Sequence, residues 1–274
     1  MNAQVVFLGT GAALPARGTT NSAYLLRIGS RTILFDCGPT ILQQLAAVDV
    51  SPGALTHLFI SHRHGDHALG FPMLALWWAL SLPPAAPLPT LLAGPTTFQS
   101  LDAVLDNSYG DAFIANRARM APRIVLPDAA PGEALLAAGL TVRTLPMQHS
   151  AWAPTLGARF EIRPPAAAEA VTLAFTADTG PTDAVLALAR DADLLVHDAC
   201  YSETLNPERA GGKVHATAAE AARDAERAGA LHLALVHVDA AAIEGGQRDI
   251  YLSEAAACFK GRVSLPAATH TLEF

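Results

Sequence analysis

The chain has few of the features that place a protein in a class at first sight. Its 274 residues include three cysteines and no CxxC pair. An odd number without that spacing argues against a disulfide framework, so we expect reduced and mostly buried thiols at Cys37, Cys200 and Cys258. Charged residues make up 16% of the chain, and the formal net charge is −7. The overall charge therefore does not favour strong non-specific binding to nucleic acid, although a local basic patch is still compatible with it.

Targeting and membrane-spanning segments are also missing from the pattern. The first residues have neither the basic segment nor the apolar segment of a signal peptide. The longest apolar run, 69–82, contains Pro72 and is too short to cross a bilayer. The length suits one large domain better than two small ones. These observations predict a single domain over residues 1–274, a cytoplasmic location and no membrane partner.

What the chain does have is a dense group of potential metal ligands. His62, His64, Asp66 and His67 fall within six residues, directly after the apolar run 58–60. Zinc takes imidazole nitrogen and carboxylate oxygen at about 2.0–2.2 Å. A helix would place residues i and i+2 on different faces, so we expect a bent loop in which His62 and His64 face one metal. Asp66 and His67 would then face another; a polar surface loop is disfavoured because further ligands follow downstream.

Short apolar runs and helical spacing outline the rest of the chain. We predict strands at 5–8, 23–26, 31–35, 57–60, 90–93, 140–145, 159–162, 171–176, 194–196, 233–236, 262–265 and 269–273. Helical spacing predicts helices at 41–48, 69–80, 182–190 and 217–228, with a bend at Pro72 in the second. Alternating strands and helices with hairpins among them predict an α+β protein, in which helices cover the outer faces of mixed sheets.

Further candidate ligands stand where predicted strands end. His149, Asp178, His197, Asp198 and His237 each follow an apolar run. Strand ends converge on one edge in layered architectures, and polar residues there build sites. Each histidine taken alone is more simply a satisfied core or edge residue. Together with the 62–67 loop they predict one metal site.

Several of these segments together resemble a known family. The segments are 7–12 with Pro15, 35–38, the HxHxDH pattern in 61–67, the later residues His149, Asp178 and His237, and the stretches 194–201 and 214–217. The chain resembles the metallo-β-lactamase superfamily and, within it, the ribonuclease Z branch. The resemblance implies two mixed β-sheets packed as a sandwich with helices on both outer faces (αββα).

The resemblance also implies two zinc ions and a ligand set. His62, His64 and His149 would hold the first zinc, Asp66, His67 and His237 would hold the second, and Asp178 would bridge them. Two such ions can share a hydroxide that attacks a phosphoryl group, and Mn²⁺ or Fe²⁺ can substitute for zinc. The predicted catalytic residues are Asp66, His215 and Asp198.

Three polar residues near these motifs keep two interpretations each. His215 is a candidate proton donor to the leaving group, held by Asp198, or a histidine that precedes the helix at 217. Asp36 is a partner of the metal loop or a loop cap. His197 orients Asp178 or has a purely structural role. His57, His232 and His270 have no motif and are predicted to be structural.

The chain departs from the ribonuclease Z branch in one respect. Members of that branch usually carry a long basic arm that grips tRNA, and only a modest insertion lies between 94 and 145. Arg117, Arg119 and Arg123 form a small basic cluster there, which is either a solvated face or a phosphate grip. We therefore expect a zinc-dependent phosphodiesterase that acts on a small phosphodiester, with nucleic acid not favoured.

Three other functions remain as alternatives. They are a tRNA 3′-end endonuclease, a hydrolase of a lactone, thioester or aryl sulfate, and a non-enzymatic metal-binding or scaffold protein. The complete ligand set with a candidate proton donor disfavours the last of these.

The helix predicted at 69–80 is apolar on nearly all sides. Such a helix is usually buried, and tryptophan is enriched at interfaces. A homodimer is therefore expected, with burial under the chain's own loops as the alternative. The apolar side chains concerned are Leu69, Phe71, Leu74, Trp77 and Trp78.

Overall fold

The computed structural model describes residues 3–109, 112–163 and 170–274. Met1 and Asn2, the first two residues of the segment without a signal-peptide pattern, lie outside these residues. The strands are β1 Ala3–Gly9, β2 Ala23–Ile28, β3 Arg31–Phe35, β4 His57–Phe59, β5 Thr90–Ala93, β6 Arg123–Val125, β7 Gly132–Ala137, β8 Leu140–Met147, β9 Thr155–Ile162, β10 Val171–Phe175, β11 Leu194–Asp198, β12 His232–Val236, β13 Arg262–Ser264 and β14 Thr271–Glu273. The helices are α1 Ile41–Ala46, α2 Gly65–Ala68, α3 Phe71–Ser81, α4 Pro95–Ser108, α5 Ala112–Arg119, α6 Asp183–Ala189, α7 Ala218–Ala228, α8 Ala240–Glu244 and α9 Arg248–Cys258.

Two mixed sheets of seven strands each are formed by the described residues. The first has the order β14-β1-β2-β3-β4-β5-β6 and the second the order β13-β12-β11-β10-β9-β8-β7. In the first sheet the pairs from β14 to β3 are antiparallel and those from β3 to β6 are parallel. In the second, the pairs from β7 to β10 are antiparallel and those from β10 to β13 are parallel. Each sheet thus has one meander half and one half built from crossovers.

Alternation along the strands places the apolar core in three layers. In β1, Val5 and Phe7 belong to the core between the sheets, whereas Val6 and Leu8 belong to the core under the first sheet's helices. A strand buried on both faces reads as a continuous apolar run, which is why this segment shows no polar alternation. A third core lies between the second sheet and helices such as α6, α7 and α9. The layers are helix, sheet, sheet, helix, as the resemblance implied.

The predicted elements are present with small shifts at their ends, except at Pro72. This proline is the second residue of α3, where its missing N–H costs nothing, so it starts the helix instead of bending it. The predicted helix at 69–80 therefore begins at Phe71. A separate short helix, α2, precedes it and carries Asp66 and His67, for which the sequence predicts a bent loop. Thr217 caps α7 through a reciprocal pair of hydrogen bonds with Glu220, in agreement with the predicted start of that helix.

The remaining general predictions have mixed outcomes. All three cysteines are free thiols; Cys37 and Cys200 are buried and Cys258 is partly exposed. Among the described residues, no helix combines the length and apolar character needed to cross a membrane. The single domain over 1–274, the cytoplasmic location and the homodimer stay predictions.

Candidate metal centre

The ends of three neighbouring strands carry the foundation of the site. Phe35 ends β3, Phe59 ends β4 and Phe175 ends β10. The Phe35 ring stacks on Phe59 with centroids 4.7 Å apart and on Phe175 with centroids 5.0 Å apart. These buried rings join the two sheets directly beneath the site. The polar residues that follow each strand are therefore brought to one edge of the sandwich.

Asp36 fixes the metal loop from below. It accepts hydrogen bonds from the Ser61 N–H at 2.7 Å, the Ser61 hydroxyl at 2.9 Å and His67 Nδ1–H at 2.8 Å. The backbone of Asp36 has φ 61°, a left-handed conformation that aspartate and asparagine tolerate better than most residues. The predicted contact between Asp36 and the metal loop is confirmed.

Two glycines let the backbone come close enough for this arrangement. A Cβ on Gly38 would lie 2.3 Å from the Asp66 carbonyl oxygen, and one on Gly70 would lie 2.2 Å from the Gly38 carbonyl oxygen. The Cys37 N–H donates to the His67 carbonyl, and the Cys37 carbonyl accepts the Gly70 N–H, each at 2.8 Å. The Asp-Cys-Gly segment thus holds the C-terminal end of α2, and any side chain at position 38 or 70 would push this helix away.

His62, His64 and His149 form the first predicted group. Nε2 of His62 and Nε2 of His149 each lie 3.0 Å from Nδ1 of His64. Oδ2 of Asp178 lies 3.9 Å from the first of these atoms and 3.8 Å from the second. The four residues offer ligand atoms that all lie within 4.8 Å of one another.

Hydrogen bonds on the far sides of these rings fix where their protons are. His149 Nδ1–H donates to the Val214 carbonyl at 2.8 Å, and the tautomer with its proton on Nδ1 has a lone pair on Nε2. His62 Nδ1–H donates at 3.0 Å to the Ser61 hydroxyl, whose own proton goes to Asp36. Burial, with the charge of His67, holds the pKa of His62 well below its usual value, so the His62 ring is neutral. Two lone pairs therefore point at one spot.

Asp66, His67, Asp178 and His237 form the second predicted group, again with ligand atoms within 4.8 Å of one another. Nε2 of His67 lies 3.1 Å from Asp66 and 3.2 Å from Asp178. Nε2 of His237 lies 3.4 Å from an oxygen of each carboxylate. Asp178 belongs to both groups, which is the position expected of a bridging ligand.

Electrostatics in the second group favour a bound cation. Within the described part of the chain, the buried Nε2 of His67 has no hydrogen-bond partner, although two carboxylates face it. Burial lowers the pKa of His67, but Asp178 and Asp36 outweigh it and raise that pKa well above its usual value. Burial raises the pKa of Asp178, but His237 and His67 outweigh burial and lower that pKa well below its usual value. This carboxylate is therefore ionised. The negative potential that attracts a proton here attracts a divalent cation more strongly, so the residues present fit a metal.

His215 and Asp198 lie beside both groups. His215 Nδ1–H donates to Asp198 Oδ2 at 2.7 Å, and the His215 ring lies 5.0 Å from the rings of His149 and of His237. Burial lowers the pKa of His215, but the Asp198 carboxylate outweighs it and raises the pKa to about 9. At neutral pH the ring is therefore a cation with its second nitrogen free to donate. The structure places His215 beside the candidate metal ligands, and the residue that caps α7 is Thr217.

His197 does not orient Asp178, and the structure favours the structural interpretation. Its Nδ1–H donates to the Asp198 carbonyl at 2.7 Å, and its Nε2 lies 3.6 Å from Asp224 of α7. The side chain is fully buried, on the helix side of the second sheet. It links β11 to α7.

The arginines of the basic cluster at 117–123 bind partners within the chain. Arg123 forms a two-pronged ion pair with Asp102, and Arg119 pairs with Asp106. Arg117 is buried and donates to two backbone carbonyls of the connector after α3. These guanidinium groups already have partners, so the solvated-face interpretation is closer to the structure than a phosphate grip.

Two residues at the mouth of the site escaped the sequence analysis. Arg63 lies over the ring of Trp152, with the guanidinium carbon 3.5 Å from the ring centroid, and this ring is stacked beside His64. The signal available was their position, since Arg63 stands inside the ligand motif and Trp152 follows His149 by three residues. Neither residue type has a spacing rule that would have singled it out.

Comparison with known proteins places this site in a family. Residues 31–238, well over half of the chain, match the family model described as "Beta-lactamase superfamily domain". The chain therefore belongs to the metallo-β-lactamase superfamily and is a metal-dependent hydrolase.

Particular relatives point to one branch of that superfamily. A protein of Mycobacterium bovis (strain BCG / Pasteur 1173P2) named Ribonuclease Z is 30% identical over 282 residues, which cover 98% of each chain. Among solved structures, the metallo-β-lactamase fold protein YhfI from Bacillus subtilis superposes with a TM-score of 0.78 at 22% identity, covering 100% of this chain and 99% of its own. Human tRNase Z, short form, superposes with a TM-score of 0.74 at 22% identity, covering 98% of each chain. At these identities the two structures show a shared fold.

Proposed function

We propose that the chain is a phosphodiesterase that uses two zinc ions. The seven proposed ligands are His62, His64 and His149 for one ion, Asp66, His67 and His237 for the other, and Asp178 between them. Seven ligands exceed what one tetrahedral zinc takes, and mixed histidine and carboxylate donors also accept Mn²⁺ or Fe²⁺. A pair of divalent ions here would supply Lewis acidity and a water that ionises near neutral pH.

The observation that carries a phosphodiester, as opposed to another ester, is the His215–Asp198 pair. Hydrolysis of an alkyl phosphodiester expels an alkoxide, which needs a proton as it leaves. The cationic His215 ring lies against His149 and His237, each a proposed ligand of a different ion. A phosphodiester bound at the ligand cluster would therefore place its leaving oxygen within reach of a proton held ready by Asp198.

The second candidate is a tRNA 3′-end endonuclease, which the name of the mycobacterial relative favours. The chain's lack of a long basic arm argued against RNA. However, the alignment with that relative spans 282 positions and covers 98% of both chains. The relative therefore has no long segment that this chain lacks. The absence of a long arm therefore does not distinguish this chain from a protein named Ribonuclease Z.

A side-by-side assay of metal-loaded protein tests the proposal. The substrates are bis(p-nitrophenyl) phosphate, precursor tRNA with a 3′ trailer, a lactone, a thioester and an aryl sulfate. We expect hydrolysis of the phosphodiester, and cleavage of the precursor at its 3′ end would promote the endonuclease. Turnover of the lactone, thioester or sulfate alone would overturn the proposal in favour of a non-phosphorus ester.

A further inference from the structure

We propose that Trp152, held by Arg63, is a stacking platform for a nucleobase on the non-leaving side of the substrate. The inference rests on the proposed phosphodiesterase function and deepens it, because it names the substrate class as nucleotidyl phosphodiesters. Trp152 is an exposed aromatic side chain beside His64, at the mouth of the proposed metal site. Trp152 is 65% exposed, although tryptophan gains free energy from burial.

The exposed ring is held in place without being covered. Arg63 lies 3.5 Å from the centroid of the Trp152 ring, a distance that places the guanidinium flat against one face. Trp152 stays 65% exposed although Arg63 lies over its ring and the His64 ring is stacked beside it at 6.0 Å, so most of this side chain faces solvent. Flat aromatic faces of this kind bind nucleobases of any sequence.

The charge of Arg63 is not balanced by a carboxylate of the described residues. Among the described residues it forms no ion pair, and its buried Nε has no hydrogen-bond partner. By contrast, Arg119 and Arg123 pair with aspartates. A cation without an anionic partner among the described residues, beside His64, suits a phosphate group, so the base platform and a phosphate-attracting charge adjoin each other.

The order of rings around the mouth decides which side of the substrate Trp152 meets. Trp152 lies beside His64, with ring centroids 6.0 Å apart and planes at 17°. The His149 ring lies 4.9 Å from the His64 ring and 5.0 Å from the His215 ring, so His149 connects the Trp152 side of the cluster to His215. Because His215 is the proposed donor to the leaving group, the substituent near Trp152 is the one that remains on phosphorus.

Two esters with the same leaving group isolate this contact. Thymidine 5′-(p-nitrophenyl phosphate) and methyl p-nitrophenyl phosphate both release p-nitrophenolate, and they differ only in the group that stays on phosphorus. For Trp152→Ala we expect kcat/KM to fall about 5- to 150-fold on the thymidine ester, mainly through KM, with little change on the methyl ester. Trp152→Phe should keep most of the wild-type kcat/KM on the thymidine ester. Arg63→Gln should have a kcat/KM on that ester between the values of the wild type and of Trp152→Ala. Phe113→Ala, which removes an aromatic side chain that is 61% exposed on α5, is the matched control and should change neither ester.

A binding measurement adds a readout that needs no turnover. The chain has three tryptophans, Trp77, Trp78 and Trp152. Thymidine 5′-monophosphate should quench the fluorescence of the metal-loaded wild type but not of Trp152→Phe, and methyl phosphate should quench neither. If Trp152→Ala slows both esters equally, or leaves both unchanged, the platform is wrong while the phosphodiesterase stands. If the wild type hydrolyses neither ester, the proposed function fails, and quenching still reports separately on nucleotide binding.

Discussion

Nδ1 of His215 lies 2.7 Å from Oδ2 of Asp198, and this carboxylate is fully buried while the imidazole is still 17% exposed. Asp198 also accepts the backbone N–H groups of Thr179 and Cys200. The carboxylate is therefore fixed from three directions, and it in turn fixes the orientation of the ring. One nitrogen of His215 is committed to Asp198, and the ring lies 5.0 Å from the rings of the candidate ligands His149 and His237.

The first prediction separates proton donation from metal binding. His215→Ala should leave the metal content unchanged and slow phosphodiesters with alkoxide-like leaving groups by about 10²–10⁴. Esters that release nitrophenolate need little protonation and should lose much less. Asp198→Asn should show a milder form of the same pattern. Asp198→Asn should also lower the free energy of unfolding by about 1–3 kcal/mol. The amide NH₂ of the asparagine would face one of the N–H groups that Asp198 accepts in the wild type, and that N–H would lose its acceptor. Equal losses on both leaving-group classes would make His215 a binding residue, and loss of metal would make it a ligand.

The second prediction concerns the bridging role of Asp178. Metal-loaded wild type should contain two ions per chain by elemental analysis, and Asp178→Ala should lose most of both, because Asp178 faces both groups. Removing the metal with a chelator should lower the melting temperature, since ions at about 1,000 times their Kd add about 4 kcal/mol of stability. A single tightly held ion, unaffected by Asp178→Ala, would contradict a shared site.

The third prediction tests how Asp36 acts through its neighbours. Asp36→Asn keeps a residue that tolerates φ 61° and removes the charge that receives His67 Nδ1–H. Metal affinity should fall about 10- to 100-fold, the usual cost of changing a residue that orients a ligand. Isothermal titration of the apo protein measures this. Unchanged affinity would return Asp36 to the role of a loop cap.

The ligand cluster could be predicted from the sequence because its members stand at strand ends. His62, Asp178 and His237 each follow an apolar run, and parallel strands bring such ends to one edge. The sharp turns there were not predictable in the same way. Ala177 and His237 adopt φ 53° and 59°, conformations in which side-chain residues are uncommon and which no sequence rule marks.

Elements without an apolar stripe also escaped prediction. In α9, Tyr251 and Ala255 are the buried residues, too few for a helical period to stand out. In the edge strands β6 and β7 only Leu136 is buried, so no face of either strand carries the apolar residues of a buried strand. The Arg63–Trp152 contact depends on how two loops approach each other, which local sequence does not encode.

The fourth prediction is a homodimer that forms through one exposed face of α3. Phe71, Leu74 and Trp78 are fully buried in the chain's own core, so they are satisfied without a partner. Met73 and Leu80 are 41% and 69% exposed and lie seven residues apart on α3, which puts them on one side of the helix. We expect a dimer by light scattering, and Met73→Glu with Leu80→Glu should give a monomer.

The matched control for the dimer is Leu135→Glu, at another exposed apolar side chain, on β7, which should leave the dimer intact. A wild type that stays monomeric across micromolar concentrations would remove the idea.

The last prediction uses His232, which lies on β12 and donates to or accepts from the Ser264 hydroxyl at 2.8 Å. Burial, with the nearby charges of Arg262 and His270, lowers the pKa of His232 to about 4. Its pKa in the unfolded chain is about 6.5, so between pH 6.5 and 4 the unfolded state binds a proton that the folded state lacks. The contribution of His232 to stability is therefore fully present above pH 6.5 and is lost as the pH falls towards 4.

Urea unfolding of wild type and His232→Gln at pH 7.5 and pH 5 measures this contribution. The variant should be less stable at pH 7.5, because glutamine does not reproduce the imidazole contact with Ser264. At pH 5 the gap should narrow, since only the wild type has His232 to protonate on unfolding. The metal ligands are the same in both proteins, so their own titration cancels in the difference. A gap that stays constant or widens as the pH falls would show that the pKa of His232 is not lowered in the folded protein.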